Sequence, residues 1–356
     1  MKKMLRMNLL IGAAALIALA LTGCSSSSNQ TNLVAFLQPT VAAVHDIPSN
    51  PFVMDVSTAT ATTLPKTKEG TGLSLNNPFT GVHLSRDGQT VVFTMADGNA
   101  ANCTDGFYQP LDNNDYVGCS QIYTVPLKGI GTVTPTQITT DTNVDHFSAV
   151  FSPDETMIVA GVVNYNNVAT SVYELVTIPI ATKVETFIAP AGMTTDLAYV
   201  ETPNLTPDNS QIVFDGRNAA HTLQGIWITA NSAGSTPTQL TNVLGNFSDY
   251  NASLSVDGTK FLFERDNGGN YNIYELPIAG EIGTTAGGTV AKPLTTDNKS
   301  GQAQYTRDYI VVNSFATSAA NVDGKTYLYR INRDGTGQVS LTDSPTIDSF
   351  WDWYDF

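Results

Sequence analysis

Residues 151–159 read Phe-Ser-Pro-Asp-Glu-Thr-Met-Ile-Val, and this stretch decides the fold. A hydrophobic anchor leads into a Ser-Pro-Asp turn and then into a β-forming run. Proline presets φ, aspartate bonds nearby backbone N–H groups, and Ile-Val favours a pleated surface. The same order recurs at Leu84-Ser-Arg-Asp-Gly88 before Val91-Val-Phe93 and at Leu205-Thr-Pro-Asp208 before Ile212-Val-Phe214. It recurs again at Leu254-Ser-Val-Asp-Gly258 before Phe261-Leu-Phe263 and at Tyr305-Thr-Arg-Asp308 before Tyr309-Ile-Val-Val312. Each copy predicts a hairpin. From Leu84 onward the anchors are spaced by 67, 54, 49 and 51 residues, a period that indicates a propeller or solenoid.

A third strand is expected in every copy, at Ile122–Leu127, Leu175–Ile180, Ile226–Ile228, Ile273–Ile278 and Tyr327–Ile331. A short fourth is marked by Gln137-Ile-Thr139, Thr186-Phe-Ile188, Gln239-Leu-Thr241, Pro293-Leu-Thr295 and Ser340-Leu-Thr342. Four short antiparallel strands per unit make a propeller blade. Residues 33–64 supply only Leu33-Val-Ala-Phe36, Phe52-Val-Met-Asp-Val56 and Thr63-Leu64, without an initial strand and turn. Phe350-Trp-Asp-Trp-Tyr354 fits that missing position, with Trp353 standing 48 residues beyond Tyr305. The expected fold is all-β: a six-bladed propeller of four-stranded antiparallel blades, closed by a C-terminal strand that completes the N-terminal blade and leaves no wide edge.

The composition agrees with a large packed domain. Of 356 residues 42% are hydrophobic and 14% charged, which excludes a disordered chain or a coiled coil. With 32 acidic against 17 basic groups the formal charge is −15, so the surface repels nucleic-acid phosphates and no nucleic-acid partner is expected.

Residues 1–23 read as a signal peptide: Lys2, Lys3 and Arg6 precede an apolar run, Leu9–Leu21, of 13 residues, too short to span a bilayer that takes roughly 20. The run ends at Leu21-Thr22-Gly23-Cys24, which resembles the bacterial lipobox. That resemblance implies that Cys24 is lipidated and becomes the new N-terminus, that residues 24–32 are a lipid-bearing, serine-rich tether, and that 33–356 form the propeller. Cleavage removes three basic residues and no acidic ones, leaving a formal charge of −18. Acyl chains then hold the protein at the membrane without a transmembrane helix. Ser25, standing where a retention aspartate would sit, points by the same resemblance to the outer membrane, at its periplasmic face or the cell surface.

Export also permits disulfides. Once Cys24 is acylated only Cys103 and Cys119 remain, and they are expected to pair. Closing that loop removes about 3 kcal/mol of denatured-state entropy on the chain-entropy account. A zinc or nucleophile role for the two is the alternative, and no histidine lies near them in the sequence.

Phe151-Ser-Pro-Asp154, the Ile-Val-Phe strand, Phe52-Val-Met-Asp-Val56 and the terminal Leu-Thr resemble the repeats of the TolB-type, WD40-like propellers of bacterial envelopes. The resemblance covers residues 33–356 and is specific for fold rather than activity. It implies a non-catalytic envelope lipoprotein that binds a protein, peptidoglycan or glycan partner. Oligogalacturonate lyases resemble the same propellers, so a polysaccharide lyase or hydrolase is the alternative; such enzymes use a metal held by several channel histidines.

Common catalytic signatures, Gly-x-Ser-x-Gly, His-Glu-x-x-His and Cys-x-x-Cys, do not occur in the sequence. Of four histidines only His83 and His146 fall on expected inner strands. Aligning the blades places His146, Asp249 and Asp348 at one level of the channel mouth with Glu201 beside them, a set able to bind a cation or a sugar. No cofactor is expected beyond such a cation, and Glu201 with Asp249 is a candidate acid–base pair. A hydrated polar funnel is the competing reading. Phe350, Trp351, Trp353, Tyr354 and Phe356 are expected to anchor the closing strand. Tyr123, Trp227, Tyr274 and Tyr329 are expected to pack between blades; most acidic groups are expected to be solvated, with Asp112 and Asp115 the candidates for a partner-facing patch.

Overall fold

The computed structural model describes residues 31–39, 49–57, 60–63, 79–96, 119–127, 134–165, 172–188, 199–217, 224–241, 247–281, 291–314 and 327–341. They form one three-stranded and five four-stranded antiparallel sheets. The three-stranded sheet is β1 (Leu33–Pro39), β2 (Ser49–Asp55) and β3 (Thr60–Thr63). The four-stranded blades follow in chain order. The first is β4 (Phe79–Leu84), β5 (Thr90–Ala96), β6 (Ser120–Pro126) and β7 (Thr136–Gln137). The second is β8 (Val144–Phe151), β9 (Met157–Asn164), β10 (Val172–Pro179) and β11 (Thr186–Ile188). The third is β12 (Tyr199–Leu205), β13 (Gln211–Arg217), β14 (Gln224–Ala230) and β15 (Thr238–Gln239). The fourth is β16 (Phe247–Leu254), β17 (Lys260–Asn267), β18 (Tyr271–Pro277) and β19 (Lys292–Pro293). The fifth is β20 (Ser300–Tyr305), β21 (Tyr309–Ser314), β22 (Tyr327–Asn332) and β23 (Val339–Ser340).

The repeated turn owes its persistence to its Ser or Thr as much as to its Asp. Ser85, Ser152, Thr206 and Ser255 each donate to the aspartate two residues on at 2.7 Å. The same hydroxyl accepts the backbone N–H five residues on, at 2.8–3.0 Å, so one side chain ties the end of the first strand to the start of the second. The following position has positive φ in each: Gly88, Glu155, Asn209 and Gly258.

The fourth strands differ from expectation. They pair over two residues in β7, β15, β19 and β23, and the Ile-Thr or Leu-Thr that marked them lies just beyond. There the ladder is continued by side chains: Thr139, Thr241 and Thr295 accept the N–H groups of Ile122, Ile226 and Ile273 at 2.9, 3.0 and 2.9 Å. A threonine hydroxyl thus replaces a carbonyl where the strand turns away.

Adjacent sheets pack through apolar clusters. Val92, Ile122 and Ile138 of the first blade meet Ile158, Val162 and Val176 of the second; Leu262, Ile273 and Leu294 meet Ile310, Val312 and Tyr329. Burying each such side chain contributes about 1.5–3 kcal/mol. The four recurrent aromatics take the expected places in these layers. Tyr123 stacks on Phe93 at 5.6 Å and Tyr274 on Phe263 at 5.8 Å; Trp227 packs against the cluster between the second and third blades, and Tyr329 hydrogen-bonds Ser300 at 2.6 Å.

The blade count corrects the expectation of six: five blades are four-stranded, and the remaining sheet has three strands among the described residues. The reason is where the chain joins the repeat, since β1 aligns with the second strand of the other sheets and no strand occupies the innermost position of this sheet among the described residues. Phe350–Tyr354, expected there, lies outside the described residues. On its two sides the three-stranded sheet packs Ala35 and Val53 against Val82 and Leu84, and Met54 and Val56 against Val311 and Leu328. Residues 1–23 and 24–30 are outside the described residues too, and no described helix is long and apolar enough to cross a membrane.

Candidate functional site

The first strands, β4, β8, β12, β16 and β20, contact one another in sequence and line the axis. Each carries a bulge partway along. In four of them a non-glycine residue takes positive φ there: Ser148, Thr202, Asn251 and Gln302. A bulge re-aims the side chains around it, and here it starts a buried polar belt. Thr202 donates to Asp215, whose other oxygen accepts the Asn251 N–H at 3.4 Å. The Asn251 amide donates to Glu264 at 2.8 Å, Glu264 accepts the Gln302 N–H at 3.1 Å, and Asn313 donates to Gln302 at 3.4 Å. Second-strand carboxylates of one blade thus satisfy the bulge of the next.

Burial dominates the electrostatics of this belt. It pushes the Glu264 carboxyl up to about 7 against its hydrogen bonds from Asn251 and Gln302. It pushes Glu201 up to about 7 as well, with the Asp215 charge adding and Arg217 opposing, and it raises Asp215.

Of the expected mouth residues, His146, Glu201 and Asp249 lie at the end where the first strands begin, and each is held by a partner of its own. Asp249, fully buried, makes a two-pronged contact with Arg265 at 2.7 and 2.8 Å. Burial works to raise the Asp249 carboxyl against that contact. Burial also works against the Arg265 charge, but Asp249 and Glu281 more than offset it and raise the guanidinium pKa. The guanidinium further lies 5.1–5.7 Å from the ring centroids of Phe247, Phe263 and Tyr274, a cation–π setting. Glu201 pairs with Arg217 at 3.2 Å. His146, fully buried, places Nδ1 3.0 Å from the Ser120 carbonyl and Nε2 3.2 Å from Glu185. Glu201 and Asp249 therefore face separate arginines rather than one another.

Asp348, Cys24, Cys103, Asp112 and Asp115 lie outside the described residues. Cys119 is buried, its Sγ 3.0 Å from the Thr142 carbonyl oxygen. As to a cation at the mouth, no group of three or more His, Cys, Asp or Glu able to hold one occurs among the described residues.

An open space among the described residues lies at the opposite end. A funnel of about 750 Å³, counted out to solvent, is lined from every sheet, by Leu33, His83, Pro153, Asn204, Ser253 and Gln304 among others. His83 is pushed down to about 4 by burial, which leaves it neutral at pH 7, and its Nδ1 is buried without a hydrogen-bond partner. Asn204 bridges two first strands by donating to the Thr202 and Ala252 carbonyls at 3.0 and 2.8 Å. A sequence signal for this funnel exists: the residue before the hydrophobic anchor is His83, Asn204, Ser253 and Gln304 in four of the five copies.

No protein-family model matches the chain, and no curated protein matches it in sequence. Solved structures match in shape. TolB from Acinetobacter baumannii is 15% identical, with 87% of this chain and 63% of that one covered at a TM-score of 0.57; this chain therefore spans less than two thirds of its length. A protein of Agrobacterium tumefaciens assigned as TolB is 14% identical, with 90% of each chain covered and a TM-score of 0.56. An oligogalacturonate lyase in complex with manganese is 14% identical over 86% of this chain and 78% of that one, at 0.51. At such identities the likeness is one of fold: the chain is a β-propeller of four-stranded antiparallel blades, similar to the propellers of TolB.

Proposed function

We propose that the protein is a lipid-anchored component of the bacterial envelope, joined to the outer membrane through Cys24, whose propeller is a non-catalytic scaffold for a protein, peptidoglycan or glycan partner. The observation that carries this reading is the engagement of His146, Glu201 and Asp249, each held in its own internal contact. A general acid or base must reach its substrate proton, and a carboxylate clamped by an arginine of the neighbouring strand is a packing element. The reading includes a Cys103–Cys119 disulfide and pairing of residues 350–354 with the open edge of the three-stranded sheet.

The test is cross-linking in intact cells, comparing the acylated protein with Cys24→Ala. Capture of one envelope component that depends on the anchor, and that binds the purified propeller directly, supports the scaffold. Turnover of an acidic polysaccharide, seen as absorbance of an unsaturated uronide and lost on substituting Glu201 or Asp249, overturns it. The lyase reading is the weaker one because the two inner-strand histidines sit at opposite ends of their strands, His83 opposite Val92 near the end of β4 and His146 opposite Val162 near the start of β8. They are not placed to share a metal.

A further inference from the structure

We propose that the anchor fixes which face of the propeller looks outward: the funnel end is held toward the bilayer, and the end bearing His146, Glu201 and Asp249 is presented away from it. This rests on the reading of Cys24 as the lipidated residue. Thr31, the first described residue, lines the funnel, and the funnel is formed by all the sheets, so the chain joins the propeller close to its axis. The junction is bound on both sides. Thr31 N–H donates to the Arg86 carbonyl at 3.3 Å and its carbonyl accepts the Arg307 N–H at 2.9 Å. Asn32 donates to Asp308 at 2.7 Å and accepts the Asp308 N–H at 3.0 Å.

Seven residue steps separate Cys24 from Thr31, a reach of about 25 Å when fully extended. A chain of this length folds to a radius of gyration of about 20 Å, and an eight-residue inner strand such as β8 spans about 26 Å. A propeller turned the other way needs a tether that runs out to the rim and back along its side, roughly 45 Å. The available length is about half of that.

The funnel face carries charges of both signs. The turns around it place Asp87, Asp154, Asp208, Asp257 and Asp308 at the rim; hydrogen bonds from Thr206 and Ser210 hold Asp208, and the contact with Arg307 holds Asp308, below the usual carboxylate range. Arg86 and Arg307 stand among these carboxylates, so the rim is of mixed charge and tether length sets the orientation. The connection between β5 and β6, which contains Cys103, leaves and returns at the outward end together with the 267–270 turn.

The test uses the acylated full chain in vesicles carrying an acceptor-labelled lipid, with a donor fluorophore at Gln89→Cys in a funnel-side turn or at Asn270→Cys in an outward turn; both residues are exposed. The unsubstituted protein sets the background labelling. Energy transfer to the membrane is expected to be at least about twofold stronger from position 89, and inserting about 20 Gly/Ser residues after Ser28 is expected to remove the difference, since such a linker reaches far around the domain. Equal or reversed transfer in protein whose mass shows the acyl chains overturns the orientation and leaves the anchor standing. A difference that survives the insertion also overturns it, because a face would then be binding lipid. Absence of the acyl mass overturns the anchor and the orientation together.

Discussion

Gly258 and Gly268 have the same left-handed backbone, with φ of +67° and +63°, yet different surroundings. A Cβ on Gly258 would stand 2.4 Å from Pro207 Cδ in the neighbouring blade, whereas nothing lies within 4 Å of one on Gly268. Gly268→Ala is expected to cost about 1 kcal/mol, the conformational term, and Gly258→Ala about 3 kcal/mol, because the clash must be relieved by moving a blade. Denaturant melts of the two variants check this, and equal losses would reject the inter-blade contact. The Asp249–Arg265 pair calls for a different substitution. Arg265→Met leaves a fully buried carboxylate without its cation and is expected to cost about 3–5 kcal/mol. The double variant Arg265→Met/Asp249→Leu is expected to recover most of that loss. A functional pair maintained against stability behaves otherwise, with either single substitution raising the midpoint. The aspartate was legible in the sequence as one of a recurring set, and its arginine was not, because the partner sixteen residues on is chosen by cross-strand register.

At the scale of the elements, the buried belt predicts a pH dependence. Glu264 titrates near 7 in the folded protein against about 4.5 in an open chain. Below pH 4.5 both states hold the proton and the stabilisation is complete. Between 4.5 and 7 the unfolded chain releases it first, so stability falls as pH rises through that window. Glu201, about 7 as well, acts in the same direction. The turn aspartates Asp154, Asp208 and Asp257, shifted downward, act below pH 4 with the opposite sign. Urea midpoints are therefore expected to be higher at pH 5 than at pH 7.5. Glu264→Gln, which keeps an oxygen for Asn251 and Gln302, is expected to reduce the slope by on the order of 2 kcal/mol across the window. A flat profile in the native protein would reject the belt as buried and protonated. The hairpins were readable because every copy repeats its Ser/Thr-x-Asp chemistry, while the bulges were not: of Ser148, Thr202, Asn251 and Gln302, only asparagine is a residue type that favours positive φ.

For the whole molecule, repetition made the architecture legible and the chain ends made it incomplete. Each blade solves the same packing problem with the same residue types at the same spacing, so five copies read alike; the three-stranded sheet lacks the initial strand and turn that mark the others and has no such copy to align with. The site was less legible still. Laid blade on blade, the sequence gathers polar residues at the start of the inner strands, where the fold pairs them with Arg217, Arg265 and Glu185, and the open funnel forms at the other end from residues adjoining the anchors. The remaining strand is where the assembly is most exposed to test. Among the described residues β1 pairs only with β2, and an unpaired edge is a template for association. If residues 350–354 supply that strand, truncation after Leu341 removes it together with its aromatic anchors. The truncated protein is expected to melt at least about 5 °C lower, a loss of a few kcal/mol for a domain of this size, and to form dimers by edge pairing on size-exclusion chromatography. A synthetic peptide spanning 343–356 added in trans is expected to raise the melting point again and to dissociate the dimers, as strand addition to an open sheet edge requires. An unchanged melting point with a monomeric elution leaves β1 an edge in the native protein and rejects closure by the C-terminus.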